Sequence, residues 1–162
     1  MSASVGTDDM AAYRPSVDEY FLGMAELASY RGTCARRRVG CILVDRNNRV
    51  LSTGYNGVAS GLPHCTDTPC PGAGLPSGTG LHLCQAIHAE ANALISCRDP
   101  EDIYAAYCTA SPCVQCVRML MNTPCIKIVF AEEYPHSESR DLWTFNRVYG
   151  RDDRQWIHIP KG

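Results

Sequence analysis

The sequence contains no apolar run long enough to cross a membrane and no recognisable export signal. No stretch of about 18 consecutive apolar residues occurs. The first nine residues have neither the basic start nor the apolar core of a signal peptide. We therefore expect a cytoplasmic protein that makes no contact with a membrane.

The sequence also has little positive charge and few aromatic residues. Its 15 Lys and Arg residues are outnumbered by 17 Asp and Glu residues, which gives a net charge of −2, and aromatic residues make up 8% of the chain. A surface that binds single-stranded nucleic acid needs both basic and aromatic side chains. We therefore expect no nucleic-acid partner. The main basic cluster, Arg36 to Arg38, is as typical of a solvated turn as of a phosphate site.

No segment has the composition of a linker between two domains. The chain has 162 residues, of which 45% are hydrophobic, and this is enough for one core of ordinary size. We interpret residues 1–162 as a single domain.

Cysteine, by contrast, is abundant, with ten residues. In a small exported protein this number would predict disulfides, but without an export signal we expect reduced thiols and metal binding. The most informative pattern is His88-Ala-Glu90, followed later by Pro112-Cys113-Val-Gln-Cys116. His88, Cys113 and Cys116 supply three zinc ligands. Glu90 is a carboxylate that the metal does not need.

Three protein ligands leave one coordination position on zinc open. Zinc lowers the pKa of water bound there to about 7, so hydroxide is available at neutral pH. Glu90 is then free to move the protons of a hydrolytic reaction. Each fragment alone also fits a structural zinc site, a redox pair or an ordinary helix histidine. Together, and in this order, they are the signature of the zinc nucleobase deaminases, and we predict this chemistry.

Local sequence places both metal-binding fragments at the starts of helices. Ser111 is a typical N-cap and Pro112 suits the first helical position, so we predict a helix with Cys113 and Cys116 one turn apart. The dipole of this helix favours thiolates, the form that binds zinc. The segment after His88 is rich in Ala and predicts a second helix.

The order of the predicted elements is that of an α/β protein. A capping box at Ser16 and Glu19 predicts the start of the first helix. The predicted strands at 103–108 and 126–130 are joined by the Cys113 helix, so they form a βαβ unit and should be parallel. In chain order we predict a helix to about residue 30, strands at 39–44 and 50–55, the helix after His88, a strand at 103–108, the Cys113 helix, a strand at 126–130, a helix at 142–148 and a strand at 156–159.

The segment 57–80 is rich in Gly and Pro, and it is too long for a passive connection in a compact domain. It contains Cys65 and Cys70, while His82 and Cys84 follow it and Cys34 lies in the first helix-to-strand connection. A closed zinc site would supply the folding free energy that such a loop lacks. Free, partly buried cysteines are the alternative.

Three segments together resemble the deoxycytidylate (dCMP) deaminases of bacteria and phages. They are His88-Ala-Glu90, the stretch 111–116, and Thr53-Gly-Tyr-Asn-Gly57, and the likeness spans roughly residues 20–130. It implies a three-layer α/β/α fold of the cytidine-deaminase type with a central mixed five-stranded sheet. It also implies that residues 57–84 are a loop insertion stabilised by zinc.

The resemblance implies zinc-dependent hydrolysis of dCMP to dUMP and ammonia, which supplies dUMP for dTMP synthesis. Glu90 would carry protons to N3 of the base and then to the leaving amine. The resemblance further implies a homohexamer that is activated by dCTP with magnesium and inhibited by dTTP. The effector nucleotide would lie at Gly54, Tyr55, Asn56 and Gly57. For the second, structural zinc the resemblance favours Cys34, Cys65, Cys70 and His82, with Cys84 as an alternative ligand.

Other residues are candidates for binding the substrate. Asn56, at the end of the second strand, is expected to bind the nucleotide, although Asn-Gly is also a common turn signal. The backbone of Thr109 and Ala110 is expected to line the base pocket together with Ser111. Tyr134 follows a strand end and either stacks on the base or sugar or lies exposed in a loop.

Different functions stay open on the residues alone. A deaminase of tRNA adenosine would share the zinc pattern, but it needs a basic groove with stacking aromatic side chains. A deaminase of free cytosine or guanine would need no phosphate site, for which Arg36 to Arg38 are candidates. A non-catalytic zinc module would leave Glu90 without a role beside an open metal position.

Overall fold

A mixed five-stranded sheet organises the protein. The computed structural model describes residues 13–76, 79–80, 83, 85–135, 137–145 and 153–161. The sheet consists of β1 (Gly40–Val44), β2 (Val50–Tyr55), β5 (Ala105–Ala110), β6 (Lys127–Glu132) and β7 (Gln155–His158). A separate ribbon pairs β3 (Gly57–Val58) with β4 (Ala86–Ile87). The helices are α1 (Val17–Ser29), α2 (Ala89–Ser96), α3 (Val114–Met121) and α4 (Ser137–Phe145), and a 3-10 turn spans Pro100–Asp102.

The strand order of the large sheet is β2-β1-β5-β6-β7. β1 is antiparallel to both β2 and β5, whereas β5, β6 and β7 are parallel to one another. The predicted βαβ unit around α3 is therefore confirmed. Because the carboxyl ends of β5 and β6 lie at the same edge of the sheet, the residues that follow these strands come close together.

Helices cover both faces of the sheet. On one face, Phe21, Leu22 and Ala25 of α1 pack against Ile42 and Val129. On the other face, α2, α3 and α4 contribute a second buried cluster, which includes Ala93, Val117, Leu120, Trp143 and Phe130. The three-layer arrangement with a mixed five-stranded sheet confirms the fold prediction.

Most predicted elements agree with the structure, and the first helix agrees closely. Ser16 is its N-cap, since the Oγ of Ser16 accepts a hydrogen bond from the backbone N–H of Glu19 at 3.1 Å. The hairpin of β1 and β2 also matches the prediction, apart from the first residue of β1.

Several boundaries differ from the predictions by one or two residues, as in β6 and β7, and those of β5 and α4 differ most. The strand predicted at 103–108 spans Ala105–Ala110, because Ile103 ends the 3-10 turn and the alanines, which are weak strand formers, pair with both neighbouring strands. The helix predicted at 142–148 spans Ser137–Phe145. Its first turns are polar and therefore carry little apolar periodicity. Residues 146–148 lie outside the described residues.

Membrane-spanning helices are not found in the described part of the chain, where every helix is too short or too polar to cross a bilayer.

Close approach of helices to the sheet requires glycine at two positions. A Cβ atom on Gly40 would lie 1.9 Å from the carbonyl oxygen of Ala25 in α1. A Cβ atom on Gly54 would lie 2.3 Å from the carbonyl oxygen of Ala89 in α2. The backbone of each helix therefore rests directly on a strand.

We predict that Gly54→Ala lowers the free energy of unfolding by about 1–3 kcal/mol or more, because the new methyl group collides with backbone atoms of α2. Urea-induced unfolding followed by circular dichroism measures the change. Gly74→Ala is the matched control, since a Cβ atom there has no neighbour within 4 Å. Equal stability of the two variants would show that α2 is not packed on Gly54.

Candidate metal centre

Three metal-ligating side chains from the starts of two helices meet at one point. His88 is the N-cap of α2, Cys113 is the N-cap of α3, and Cys116 lies in the first turn of α3. Nδ1 of His88 lies 3.4 Å from Sγ of Cys113 and 3.5 Å from Sγ of Cys116. Within the described residues, these three form the one group of three or more His, Cys, Asp or Glu ligand atoms that lie within 4.8 Å of one another.

The separations between these atoms fit a tetrahedral zinc ion. Zinc lies about 2.0–2.1 Å from an imidazole nitrogen and about 2.3 Å from a thiolate sulfur, so tetrahedral angles place nitrogen and sulfur about 3.5–3.6 Å apart. The observed distances of 3.4 and 3.5 Å agree with this geometry. One imidazole and two thiols also favour zinc over magnesium or calcium. The donor set therefore fits zinc with three protein ligands.

The helix that carries the cysteines starts later than predicted. Ser111 is not its N-cap and Pro112 is not its first residue, because Cys113 occupies the N-cap position and the helix begins at Val114. Ser111 is used elsewhere: its Oγ accepts a hydrogen bond from the backbone N–H of Tyr134 at 2.7 Å. The side chain of Cys113 makes no capping hydrogen bond, so its sulfur is available to a metal.

The pKa values of the three donor side chains are shifted in different directions. A hydrogen bond with Cys116 lowers the pKa of Cys113 to about 4, and His88 contributes in the same direction while burial opposes both. The hydrogen bond with Cys113 raises the pKa of Cys116 and also that of His88. Cys113 is therefore a thiolate at neutral pH. Zinc binding would take the place of the proton on Cys116, since the metal binds thiolates.

Glu90 lies beside this cluster in the first turn of α2 and is 3% exposed. Burial raises the pKa of its carboxyl group. The carboxyl group also interacts with the thiol of Cys116. A buried carboxyl group costs free energy unless it is paired, so packing alone does not explain a glutamate at this position.

Two residues that the sequence analysis missed hold α2 against β2. Oγ of Ser52, a buried residue, donates a hydrogen bond to the carbonyl oxygen of Ala93 at 2.6 Å. Nδ2 of Asn92 donates to the carbonyl oxygen of Tyr55 at 2.9 Å. These contacts position the helix that carries His88 and Glu90. In the sequence, this contact could have been predicted from the two small residues at positions 52 and 54, because they face the same side of the strand and let a helix approach it.

The predicted nucleotide-binding segment 54–57 makes internal contacts. Asn56 is 7% exposed, its Oδ1 accepts a hydrogen bond from the N–H of Val39 at 2.8 Å, and its Nδ2 donates to the carbonyl oxygen of Arg37 at 2.7 Å. The guanidinium group of Arg31 lies 5.6 Å from the ring centroid of Tyr55. Asn56 therefore holds the connection before β1 in place.

The predicted base-pocket residues lie at the end of β5. Ala110 and Ser111 are buried and directly precede Pro112 and Cys113. The side chain of Thr109 alternates to the α1 face of the sheet, where its Oγ1 accepts a hydrogen bond from the N–H of Gly40 at 3.2 Å. The side chain of Thr109 therefore lies on the face of the sheet opposite the three donors.

Tyr134 is held in place by a neighbouring arginine. The guanidinium group of Arg37 lies 5.1 Å from the centroid of the Tyr134 ring, and Nη2 of Arg37 lies 2.8 Å from Oε2 of Glu132. Tyr134 itself is half-buried, so it is not a fully exposed loop residue.

The basic cluster at residues 36–38 serves mainly internal contacts. Nη1 of Arg36 donates to the carbonyl oxygens of Pro76 and Thr79 at 3.0 and 2.7 Å, which ties down the long loop. Arg37 pairs with Glu132. Arg38 is exposed and lines a cleft of about 1020 Å³ beside α1, on the face of the sheet opposite the three donors.

Two of the other cysteines are in contact within the long loop. Sγ of Cys65 lies 3.6 Å from Sγ of Cys70, close to the separation of about 3.8 Å expected for two thiolates on one tetrahedral zinc ion. Within the described residues, Cys34 is not part of a group of three donors that lie within 4.8 Å of one another. His82 and Cys84 lie outside the described residues. The second metal site stays a prediction.

Comparison with known proteins relates the chain to one family. The family model for the "Cytidine and deoxycytidylate deaminase zinc-binding region" matches residues 15–132. Deoxycytidylate deaminase from Saccharomyces cerevisiae is 39% identical over 127 residues, which are 77% of this chain and 40% of the yeast protein. The chain thus matches about two fifths of that relative. Deoxycytidylate deaminase from Mycobacterium phage D29 is also 39% identical over 127 residues, which are 74% of this chain and 98% of the phage protein.

A solved structure shares the fold. The dCMP deaminase of cyanophage S-TIM5, in complex with dCMP and dUMP, aligns with a TM-score of 0.67 and 24% sequence identity. The alignment covers 90% of this chain and 98% of the cyanophage chain.

Proposed function

The chain belongs to the cytidine and deoxycytidylate deaminase family, and on this premise we propose that it hydrolyses dCMP to dUMP and ammonia in the cytoplasm. The meeting of His88, Cys113 and Cys116 beside the buried carboxyl group of Glu90 carries this proposal. Relatives at 39% identity that are named deoxycytidylate deaminase support dCMP as the substrate.

Glu90 is the residue that moves protons in the proposed reaction. His88, Cys113 and Cys116 would hold a zinc ion, which supplies a water molecule of lowered pKa at neutral pH. Glu90 takes a proton from the attacking water and delivers it to N3 of the cytosine ring as the new C–O bond forms at C4. It then carries the second proton of that water to the amine on C4. The C–N bond breaks, ammonia leaves and a carbonyl group remains at C4.

The proposed substrate site is built from the ends of three strands. A base placed against the metal centre would meet the backbone of Thr109 and Ala110 and the side chain of Ser111, which precede Cys113 in the chain. Asn56 would bind the nucleotide with its remaining N–H and lone pair. We assign Tyr134 to the base or sugar, because Arg37 holds its ring near the residues that follow β5 and β6.

We further propose regulation of a homohexamer by nucleotides, with dCTP and magnesium activating and dTTP inhibiting. The effector site would include Gly54, Tyr55, Asn56 and Gly57. Contacts between the proposed effector segment and α2 support a link between effector binding and catalysis. Gly54 packs directly against α2, and the carbonyl oxygen of Tyr55 accepts a hydrogen bond from Asn92 of that helix. A ligand that displaces this segment would therefore shift the helix that carries His88 and Glu90.

A second, structural zinc would order the insertion at residues 57–84 within one domain of residues 1–162. The ribbon of β3 and β4 brings the two ends of this segment together. Cys65 and Cys70 are already in contact, and we assign the remaining ligands to Cys34 and His82, with Cys84 as the alternative.

Replacement of Glu90 tests the mechanism. Glu90→Gln should retain the fold and the zinc ion but lower kcat with dCMP by about 10²–10⁴-fold, because the amide cannot transfer protons. Ammonia release measured with wild type and variant, together with zinc analysis of both, gives the result. Activity close to wild type would remove Glu90 from the mechanism.

The same ammonia assay, run with dCMP, CMP, cytosine and a tRNA anticodon stem, tests the substrate. The highest kcat/KM is expected for dCMP. A preference for free cytosine or for the tRNA stem would overturn the assignment of dCMP while leaving the metal centre intact.

Metal content separates the two proposed zinc sites. We expect close to two zinc ions per chain, about one in Cys65→Ser with a lower thermal unfolding midpoint, and about one in Cys116→Ser with loss of activity. Elemental analysis of protein purified without added metal gives the counts. A single zinc ion in wild type that persists in Cys65→Ser would disprove the structural site.

Steady-state kinetics test the proposed regulation. The rate against dCMP should be sigmoidal, become hyperbolic with dCTP and magnesium, and fall with dTTP. A coupling free energy of about 1–3 kcal/mol would change the apparent affinity by about 5–150-fold. Hyperbolic kinetics that neither triphosphate alters would contradict regulation but would not affect the assignment as a deaminase.

A further inference from the structure

Two residues assigned to the substrate, Asn56 and Tyr134, are far apart in the chain, and Arg37 contacts both. The backbone carbonyl oxygen of Arg37 accepts a hydrogen bond from Nδ2 of Asn56 at 2.7 Å. The guanidinium group of Arg37 lies 5.1 Å from the centroid of the Tyr134 ring. Arg37 therefore connects the end of β2, after which Asn56 lies, with the segment that follows β6.

Asn56 fixes the backbone from which the side chain of Arg37 extends. Oδ1 of Asn56 accepts a hydrogen bond from the N–H of Val39 at 2.8 Å, and Nδ2 binds the carbonyl oxygen of Arg37. The residues on both sides of Arg38 are thus attached to one buried amide group. A long side chain loses conformational freedom when it is ordered, and a fixed backbone reduces that cost. The backbone contacts therefore restrict where the guanidinium group of Arg37 can lie.

The ring of Tyr134 is a stronger partner for Arg37 than the neighbouring carboxylate. Nη2 of Arg37 lies 2.8 Å from Oε2 of Glu132, but the side chain of Glu132 is 71% exposed and that of Arg37 is 25% exposed. An ion pair with such an exposed carboxylate contributes little. Among the described residues, Nη2 of Arg37 has no partner with hydrogen-bond geometry. A planar guanidinium group over an aromatic ring, by contrast, gains from both charge and stacking.

Tyr134 is also attached to the segment that leads to the metal centre. Its backbone N–H donates a hydrogen bond to Oγ of Ser111 at 2.7 Å, and Ser111 lies two residues before the donor Cys113. This hydrogen bond alone does not determine the rotamer of the Tyr134 side chain. Arg37 lies at the edge of the sheet, between the cleft beside α1 and the Tyr134 ring, and restricts that rotamer from one side.

We propose that Arg37 is a positioning residue for the substrate: its guanidinium group fixes the ring of Tyr134 in the orientation that contacts the base or sugar, and its backbone ties this contact to Asn56. The inference rests on the proposed function, where Asn56 and Tyr134 are assigned to the substrate. Different residues, Ser52 and Asn92, hold the helix that carries His88 and Glu90. Arg37 therefore acts on substrate binding, and the chemical step depends little on it.

Replacement of the guanidinium group tests the proposal. Arg37→Gln removes the charge and the planar group but keeps the backbone carbonyl that Asn56 binds. We expect KM for dCMP to rise by ~3–30-fold, the range of a cation–π contact, while kcat stays within about two-fold of wild type and the zinc content is unchanged. Arg37→Lys keeps a cation and should restore part of the affinity. A purely structural role would instead lower kcat or the zinc content and leave KM unchanged.

A double-mutant cycle shows whether Arg37 acts through Tyr134. Tyr134→Leu should itself raise KM, and the addition of Arg37→Gln should then have no further effect. Glu132→Gln removes only the exposed ion pair and should leave KM unchanged.

Arg46→Gln is the matched control. The guanidinium group of Arg46 lies 5.1 Å from the centroid of the Tyr104 ring, so the contact is of the same kind. Arg46 follows the end of β1 that pairs with the start of β5, at the opposite edge of the sheet from Tyr134. This variant should bind and convert dCMP like wild type.

Binding of the product dUMP, measured by isothermal titration calorimetry, separates the positioning role from the proposed reaction. The affinity for dUMP should fall in Arg37→Gln by the same factor by which KM rises. A wild type that binds dUMP but releases no ammonia from dCMP would contradict the proposed reaction alone. An unchanged KM and dUMP affinity in Arg37→Gln, additive effects in the double-mutant cycle, or a wild type that binds no dUMP would overturn the positioning role.

Discussion

The metal centre depends on a requirement of coordination geometry: one imidazole nitrogen must lie about 3.5 Å from each of two sulfur atoms around a common centre. His88 and the two cysteines meet this requirement from two different helices. A shift of either helix by about an ångström would break this arrangement of donor atoms. The positions of α2 and α3 on the sheet therefore matter more for the metal centre than the stability of each helix alone.

The sheet provides this precision through contacts that leave little freedom. α2 rests on β2 at Gly54, where no side chain separates the two backbones, and Ser52 and Asn92 add hydrogen bonds on either side. α3 follows β5 directly, and the backbone N–H of Ser111 binds the carbonyl oxygen of Glu132 at 2.9 Å. The edge at which β5 and β6 end is therefore joined by a backbone hydrogen bond close to the donors, and Tyr134 and Arg37 are in contact there.

Local sequence patterns predicted the structure well where one physical cause dominates. The capping box at Ser16 and the apolar period that follows it define α1, and hydrophobic alternation with a polar turn defines the hairpin of β1 and β2. The predictions were less accurate where the residue types do not indicate the element. The bounds of the alanine-rich strand β5 and the start of α4, whose first turn is polar, were predicted wrongly. Ser111 was predicted as a helix cap, but its side chain accepts a hydrogen bond from Tyr134.

By itself, the sequence predicted the three donor residues that the structure brings together, the carboxyl group of Glu90 beside them and the α/β order, because donor chemistry and periodicity are properties of residue types at short spacing. Only the tertiary structure decided that Asn56 bonds to the backbone of residues 37 and 39, that Arg36 holds the long loop and that α1 buries Phe21, Leu22 and Ala25 against the sheet. Each of these depends on residues far apart in the chain or on which side of a helix faces the sheet. Such pairings are set by packing in three dimensions, for which spacing along the chain carries no signal.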